Sequence, residues 1–159
     1  MSETKQPTQA LPITVNAQYI KDLSFENPNA PQSLAMTGEQ PHLDVHIDVQ
    51  TRSGPEDSYE VTLLIKANAK LGDKTAFLIE LAYAGLFTLK GLPKEALQPV
   101  LLIEAPRILF PFARNIIADV TRDGGFAPLM INPIDFADMF RRHFVKAEDA
   151  SVSQQTGTA

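Results

Sequence analysis

Residues 106–136 read PRILFPFARNIIADVTRDGGFAPLMINPIDF, and this stretch constrains how the rest of the chain can fold. Its first half predicts a helix, because large apolar residues recur at steps of three and four. These residues are Ile108, Leu109, Phe112, Ala113, Ile116, Ile117 and Val120. Pro106 is typical of a helix start, and Gly124 with Gly125 is typical of a helix end. The apolar stripe is wider than the surface of a lone domain requires, so we expect part of it to bind another chain.

The second half predicts an unusual connector, because residues 126–131 are mostly apolar although they join two helices. Asn132 is the predicted N-cap of the second helix, and Pro133 is its predicted first residue. An apolar connector between two helices must either pack under another element or bind something. Residues 126–131 are therefore a candidate binding segment.

Before this stretch, four segments alternate between apolar and polar residues, as strands do. They run from Val15 to Glu26, from His42 to Val49, from Tyr59 to Ala69 and from Thr75 to Leu89. The second and third links are short, which favours antiparallel pairing. Residues 94–104 predict a short helix that Pro99 delays or kinks. The predicted fold is α+β, a four-stranded antiparallel sheet followed by a C-terminal helical layer.

The fourth strand is apolar on both faces. One parity predicts a core face made of Phe77, Ile79, Leu81, Tyr83, Phe87 and Leu89. The other parity carries Leu78, Leu86 and alanines, and only Glu80 interrupts it. A face open to water would carry polar residues there, so a partner is the simplest cover. Self-association through the 106–121 helix and the core face of this strand would bury the surplus. The predicted contact residues are Ile108, Phe112, Ile116, Ile79 and Leu81.

Length and composition exclude several classes of protein. The chain of 159 residues has no cysteine, which excludes disulfides and thiolate metal sites. No apolar run is long enough to span a membrane, and the N-terminus lacks a basic-then-apolar pattern, so we do not expect secretion by a signal peptide. The net charge is −5, and residues 39–60 carry it as six acids against Arg52, which disfavours nucleic acid as a partner. We expect one domain over residues 15–145, between mobile tails at residues 1–14 and 146–159.

Several blocks of this sequence together resemble SecB, the bacterial protein-export chaperone family. The blocks are PRILFPFAR at residues 106–114, RDGGFAPL at 122–129, NPIDF at 132–136 and YIKDLSFENPNAP at 19–31. The resemblance covers roughly residues 15–145, and its ordered blocks are far more specific than a single short motif.

The resemblance implies a cytoplasmic homotetramer, a dimer of dimers with helices between two sheets, that is not an enzyme and needs no cofactor. It implies that the tetramer holds unfolded precursor proteins in apolar grooves and passes them to the SecA motor, without inserting into the membrane. The implied client-binding residues are Leu34, Met36, Leu43, Val45, Ile47, Leu129, Met130, Phe136, Met139 and Phe140.

The resemblance also implies a SecA-binding patch formed by Asp22, Glu26, Leu78 and Glu80. The alternation supports one part of this inference, because Leu78 and Glu80 share the parity opposite to the core residues. Asp22 and Glu26 likewise lie on the parity opposite to Leu23 and Phe25, with which Tyr19 is grouped. If the first and fourth strands belong to one sheet, the four residues form an acidic patch with an apolar centre.

Two other functions are compatible with the residues. A homo-oligomer could bind an apolar small ligand, with the connector at 126–131 as the mouth of the site. A metal-assisted enzyme could use His42, Asp44, His46 and Asp48, which lie two apart on one strand face. Neighbouring positions on such a face are roughly 6 to 7 Å apart, so one ion would reach two of them but hardly four.

Overall fold

The computed structural model describes residues 12–35, 38–143 and 146, and it confirms the predicted α+β class. Four strands, β1 to β4, form one antiparallel sheet in the order β1-β4-β3-β2. They comprise Ile13–Glu26, His42–Ser53, Ser58–Leu71 and Lys74–Leu89. The short helix α1 (Gln32–Ala35) lies between β1 and β2. Most of both expected tails, and the predicted client residue Met36, lie outside the described residues.

The helical layer covers one side of the sheet, which we call the helix face. It is formed by α2 (Lys94–Pro99), a π-helical segment (Val100–Glu104), α3 (Ala105–Asp123) and α4 (136–143). The core lies beneath α3, where Leu109 is fully buried. At Gly85 of β4 an added Cβ would lie 2.6 Å from the Phe87 ring and 2.9 Å from Leu109 Cδ2, so glycine leaves room for these two side chains beneath α3. The opposite side of the sheet, which we call the open face, carries Leu78 and Glu80.

The register of β4 confirms its predicted core face and changes the role expected for two of its residues. Ile79 and Leu81 are 0% and 2% exposed, and they belong to the core of this chain. Their prediction as contacts with another copy is wrong, because the chain's own helical layer already covers the helix face. A residue so deeply buried has almost no apolar surface left for a partner.

Two irregularities in β1 correct the predicted grouping of its residues. The pairing with β4 shifts between Val15 and Ala17 and again between Ile20 and Asp22. A β-bulge inserts one unpaired residue and therefore moves the following side chains to the other face. Tyr19 pairs with Ala84, so it lies on the open face and not with the core-facing residues Leu23 and Phe25. Simple alternation could not predict this change.

The helix over residues 94–123 is continuous, whereas two separate helices were predicted. Pro99 ends α2 with helical backbone angles and does not break the chain. Pro106 has no N–H to donate, and the preceding turn adopts the wider π register, in which the Ala105 N–H bonds to the Val100 carbonyl. The predicted end is confirmed, because α3 stops at Asp123 and Gly124 caps it.

The last described helix begins later than predicted. Residues 131–135 are not helical, and Asp135 accepts a hydrogen bond of 3.0 Å from the Asp138 N–H through its carboxylate. Asp135 is therefore the N-cap of α4, and the prediction of Asn132 in that role is wrong. Both residue types cap helices well, so composition alone did not distinguish them. No helix in the described part of the chain is long and apolar enough to cross a membrane.

Candidate functional site

An apolar groove opens where α1, β2 and the connector at 126–131 converge on the helix face. It encloses about 350 Å³, and Phe77 and Phe126 are among its lining residues. The rings of these two residues lie 5.0 Å apart between centroids. Three predicted client residues, Leu34, Leu43 and Leu129, also line this groove. The structure thus brings together residues that are distant in sequence.

Asn27 and the close approach at Gly125 hold α1 beside the connector. The Asn27 side chain donates to the Gly124 carbonyl at 3.2 Å and accepts a hydrogen bond of 2.9 Å from the Ser33 hydroxyl. At Gly125, where φ is +94°, an added Cβ would lie 2.9 Å from a methyl carbon of Leu34. Asn27 and Ser33 were not among the predicted site residues, because their role depends on contacts across 97 and 6 residues of sequence.

The other predicted client residues occupy different surroundings. Val45 and Ile47 continue the line of Leu43 along the helix face of β2, where Val45 is 37% exposed. Met139 and Phe140 border a second groove of about 240 Å³ between α4 and β2.

Two predicted client residues differ most in exposure. Met130 projects from the connector with 59% of its surface exposed. Phe136 is 1% exposed and packs edge-on against Phe110, with 6.1 Å between ring centroids. Phe136 therefore belongs to the core of this chain and has no free surface to offer a client.

The outer edge of β2 carries unpaired main-chain groups beside the first groove. The Gly54 N–H bonds to the Ser58 carbonyl at 2.8 Å. This bond shows which β2 residues direct their main-chain N–H and C=O groups toward β3. In an antiparallel pair these residues alternate, so the N–H and C=O groups of Leu43, Val45 and Ile47 point away from β3. No backbone hydrogen bond reaches them from the rest of the described chain. This edge can therefore pair with an added strand.

A second apolar surface lies at the opposite edge of the sheet, and we call it the β1 patch. It comprises Val15, Ile20, Leu23 and Phe112, which are 39%, 47%, 38% and 52% exposed. The Phe112 ring stacks on Tyr83 at 6.5 Å, and Tyr83 pairs with Ile20 across β1 and β4. Ile108 and Ile116 extend the patch one turn along α3 on either side of Phe112 and are partly buried.

On the open face, the structure brings together the four residues that the resemblance linked to SecA. Asp22 pairs with Ala82 and Glu26 pairs with Leu78, so β1 and β4 are neighbours with these side chains on one face. A wide groove of about 720 Å³ runs from Asp22 and Glu80 toward His46 and Asp48 on β2. Glu80 is paired with Lys66 at 3.2 Å, and both side chains are more than half exposed.

On the open face, a polar cluster near Asp22 joins β1 to β3 across β4. The Glu60 carboxylate accepts hydrogen bonds from the Tyr19 hydroxyl and, at 2.8 Å, from the Lys21 ammonium. Both hydrogen bonds lower the pKa of Glu60, and the one from Lys21 has the larger effect. The hydrogen bond to Glu60, with burial and the nearby negative charge, raises the pKa of Tyr19 to about 12. The cluster fixes the bulged part of β1.

The metal hypothesis finds no ligand set in the described part of the chain. Among residues 12–35, 38–143 and 146, no three histidine, aspartate or glutamate side chains lie close enough together to hold a metal ion. His42, Asp44, His46 and Asp48 do share the open face of β2, as the alternation predicted.

Comparison with known proteins agrees with this geometry. The family model described as "Preprotein translocase subunit SecB" matches residues 5–147. The protein-export protein SecB of Paramagnetospirillum magneticum is 50% identical, with 100% of each chain covered. That of Rhodospirillum centenum is 53% identical over 85% of this chain and 81% of its own. Among solved structures, a SecB-like chaperone of Mycobacterium tuberculosis in complex with an antitoxin peptide has a TM-score of 0.65 at 14% identity, covering 77% of this chain and 90% of its own.

The fold and the sequence matches together define a chaperone of the protein-export class. The family model spans every described residue, and the Paramagnetospirillum magneticum relative, 50% identical, matches along the full chain. This chain belongs to the SecB family.

Proposed function

We propose that this chain is a cytoplasmic holdase that keeps precursor proteins unfolded for export and delivers them to SecA, without catalysing a reaction or using a cofactor. The observation that carries the proposal is the open apolar groove lined by Leu34, Leu43 and Leu129, which we call the client groove. A client that binds there while unfolded is kept from folding by mass action alone. The antitoxin peptide bound by the mycobacterial SecB-like chaperone supports a polypeptide as the ligand.

The surroundings of the groove favour an extended chain over a folded protein. Leu34 and Leu43 are 42% and 39% exposed, and their flexible side chains can adapt to many apolar sequences. The adjoining β2 edge offers main-chain groups to any strand, whatever its sequence. A folded protein has few unpaired main-chain groups and little continuous apolar surface, so it gains little from either feature.

Self-assembly is part of the proposal. The β1 patch lies at the sheet edge opposite to the client groove, so one chain can contact another copy and a client at once. Ile108, Phe112 and Ile116 remain the predicted α3 contacts, now with β1 residues in place of Ile79 and Leu81. A homotetramer built as a dimer of dimers would cover this patch in closed symmetry.

Delivery to SecA is assigned to Asp22, Glu26, Leu78 and Glu80. Their position together on the open face supports this assignment, because the client groove lies on the other face. The acidic residues suit a basic segment of the partner, and Leu78 adds an apolar contact. A partner could therefore dock while the client stays bound.

A binding experiment tests the holdase function. A reduced, carboxymethylated protein that cannot refold serves as the client, and its native form serves as the comparison. The chain should bind the unfolded form and not the native form. Burial of the exposed parts of Leu34 and Leu43 contributes about 1 kcal/mol each, so a Leu34→Ser, Leu43→Ser double variant should bind roughly 30-fold more weakly.

Leu78→Ser on the open face is the matched control and should leave client binding unchanged. Saturation by one small apolar compound, with no binding of the unfolded protein, would favour the small-ligand alternative.

A second experiment tests the delivery step. An Asp22→Lys, Glu80→Lys double variant reverses two charges of the patch, so its SecA binding at low salt should be lost. Wild-type binding should weaken as salt rises, because exposed charges are screened. Client binding and assembly should match the wild type, and normal SecA binding by the variant would contradict the assignment.

A further inference from the structure

The buried residue Thr121 holds the apolar connector at two points. Its main-chain carbonyl accepts a hydrogen bond of 3.1 Å from the Phe126 N–H. Its hydroxyl accepts a second one, of 2.9 Å, from the Leu129 N–H. Phe126 and Leu129 both line the client groove, whereas Thr121 is 0% exposed and does not.

The hydroxyl of Thr121 is oriented for this contact by its own helix. It lies 2.8 Å from the Ile117 carbonyl and 3.1 Å from the Ala118 carbonyl, and its single proton is directed to these acceptors. The lone pairs of the oxygen therefore remain available to the Leu129 N–H. Only serine could replace threonine here without losing one of these hydrogen bonds, because the oxygen must both donate and accept.

We propose that Thr121 is a positioning residue that sets the shape of the client groove by fixing the connector at Leu129. The inference rests on the holdase function proposed above. Without the hydroxyl, the Leu129 N–H has no acceptor from α3, and a partly buried donor must turn toward water to regain one. Such a turn would carry the Leu129 side chain away from Leu34 and Leu43 and split the apolar lining.

Thr121→Val tests this role, because valine keeps the shape of threonine and lacks the oxygen. Binding of the reduced, carboxymethylated client should weaken about three- to tenfold, the effect of one lost hydrogen bond. Thr121→Ser, which keeps the oxygen, should restore wild-type binding. Hydrogen exchange should become faster in residues 126–131 and stay unchanged in β3 and β4. The mass of the assembly should be that of the wild type.

Thr121→Ala removes the same oxygen and serves as a second variant if valine does not fit. Wild-type client binding by either folded variant would overturn the proposal, and so would a serine variant as defective as the valine one. Failure of both variants to fold would also overturn it, because Thr121 would then support the core and not the groove specifically. If the wild-type chain itself does not bind the client, the holdase function fails instead.

Discussion

Truncation of Phe112 should dissociate the assembly while leaving each chain folded. This side chain is 52% exposed, the largest exposure among the members of the β1 patch. A phenylalanine side chain can bury about 200 Å², so roughly 100 Å² of Phe112 is available to a second copy. At about 25 cal/mol per Å², this area contributes roughly 2.5 kcal/mol per chain.

The effect is doubled in a two-fold interface, because both copies carry the change. Phe112→Ala should therefore cost about 5 kcal/mol per pair of chains, a factor of more than 10³ in the dissociation constant. Each chain should keep its fold but lose the burial of the other half of the ring and its contact with Tyr83, together roughly 3 kcal/mol of unfolding free energy. Circular dichroism and thermal unfolding check that the fold is kept.

Native mass measured over a dilution series reports the dissociation. The wild type should remain assembled at concentrations where Phe112→Ala has become smaller species. Leu43→Ala at the opposite sheet edge is the matched control, since Leu43 is also an exposed apolar residue but lies in the client groove. Identical dissociation curves for Phe112→Ala and the wild type would refute the β1 patch as the contact surface.

Three further changes have distinct expected outcomes. Val45→Pro removes an N–H from the free edge of β2, so the folded variant should release the unfolded client several-fold faster than Val45→Ala. Thr51→Pro alters the same edge beyond the groove and should release the client at the wild-type rate. Glu60→Gln should cost about 1 kcal/mol of unfolding free energy at neutral pH. The cost should shrink as the pH falls through the lowered pKa of Glu60, because a carboxyl whose pKa is lowered by folding contributes stability that protonation removes. A pH-independent difference in denaturant titrations would contradict the ion pair. Phe136→Ala should lower the unfolding free energy by about 3–5 kcal/mol, as a core truncation does, and unchanged stability would show that this ring is not part of the core.

The periodic parts of the sequence predicted most of the fold. Alternation placed β2 and the core face of β4 correctly, because a side chain in a regular strand points to a face set by its parity. The same reasoning misplaced Tyr19, since a bulge depends on how two strands fit together and leaves no signature in one of them. The sequence also predicted two helices where the structure has one continuous helix through Pro106. The π register that accommodates this proline forms only in the folded chain and leaves no pattern in the sequence.

The sequence predicted the apolar residues that line the candidate groove and missed the polar residues that hold it in place. Leu34, Leu43 and Leu129 fall in segments whose apolar character was visible, and the groove unites them. Asn27 and Thr121 act through hydrogen bonds to particular main-chain groups. Their roles could not be predicted from the sequence, because they depend on where those main-chain groups lie in the folded chain. Burial of Phe136 depends on where α4 packs, which its periodicity could not specify.

The free edge of β2 also bears on whether copies of this chain aggregate. Main-chain groups that accept any strand would also accept the β2 edge of another copy, which is how exposed edges lead to fibrous aggregates. The acids at Asp44, Asp48, Glu56 and Asp57 lie on this strand or in the turn that follows it. Two such edges brought together would place like charges side by side, whereas an apolar or basic client meets no such repulsion. The acidic segment thus disfavours pairing between the β2 edges of two copies.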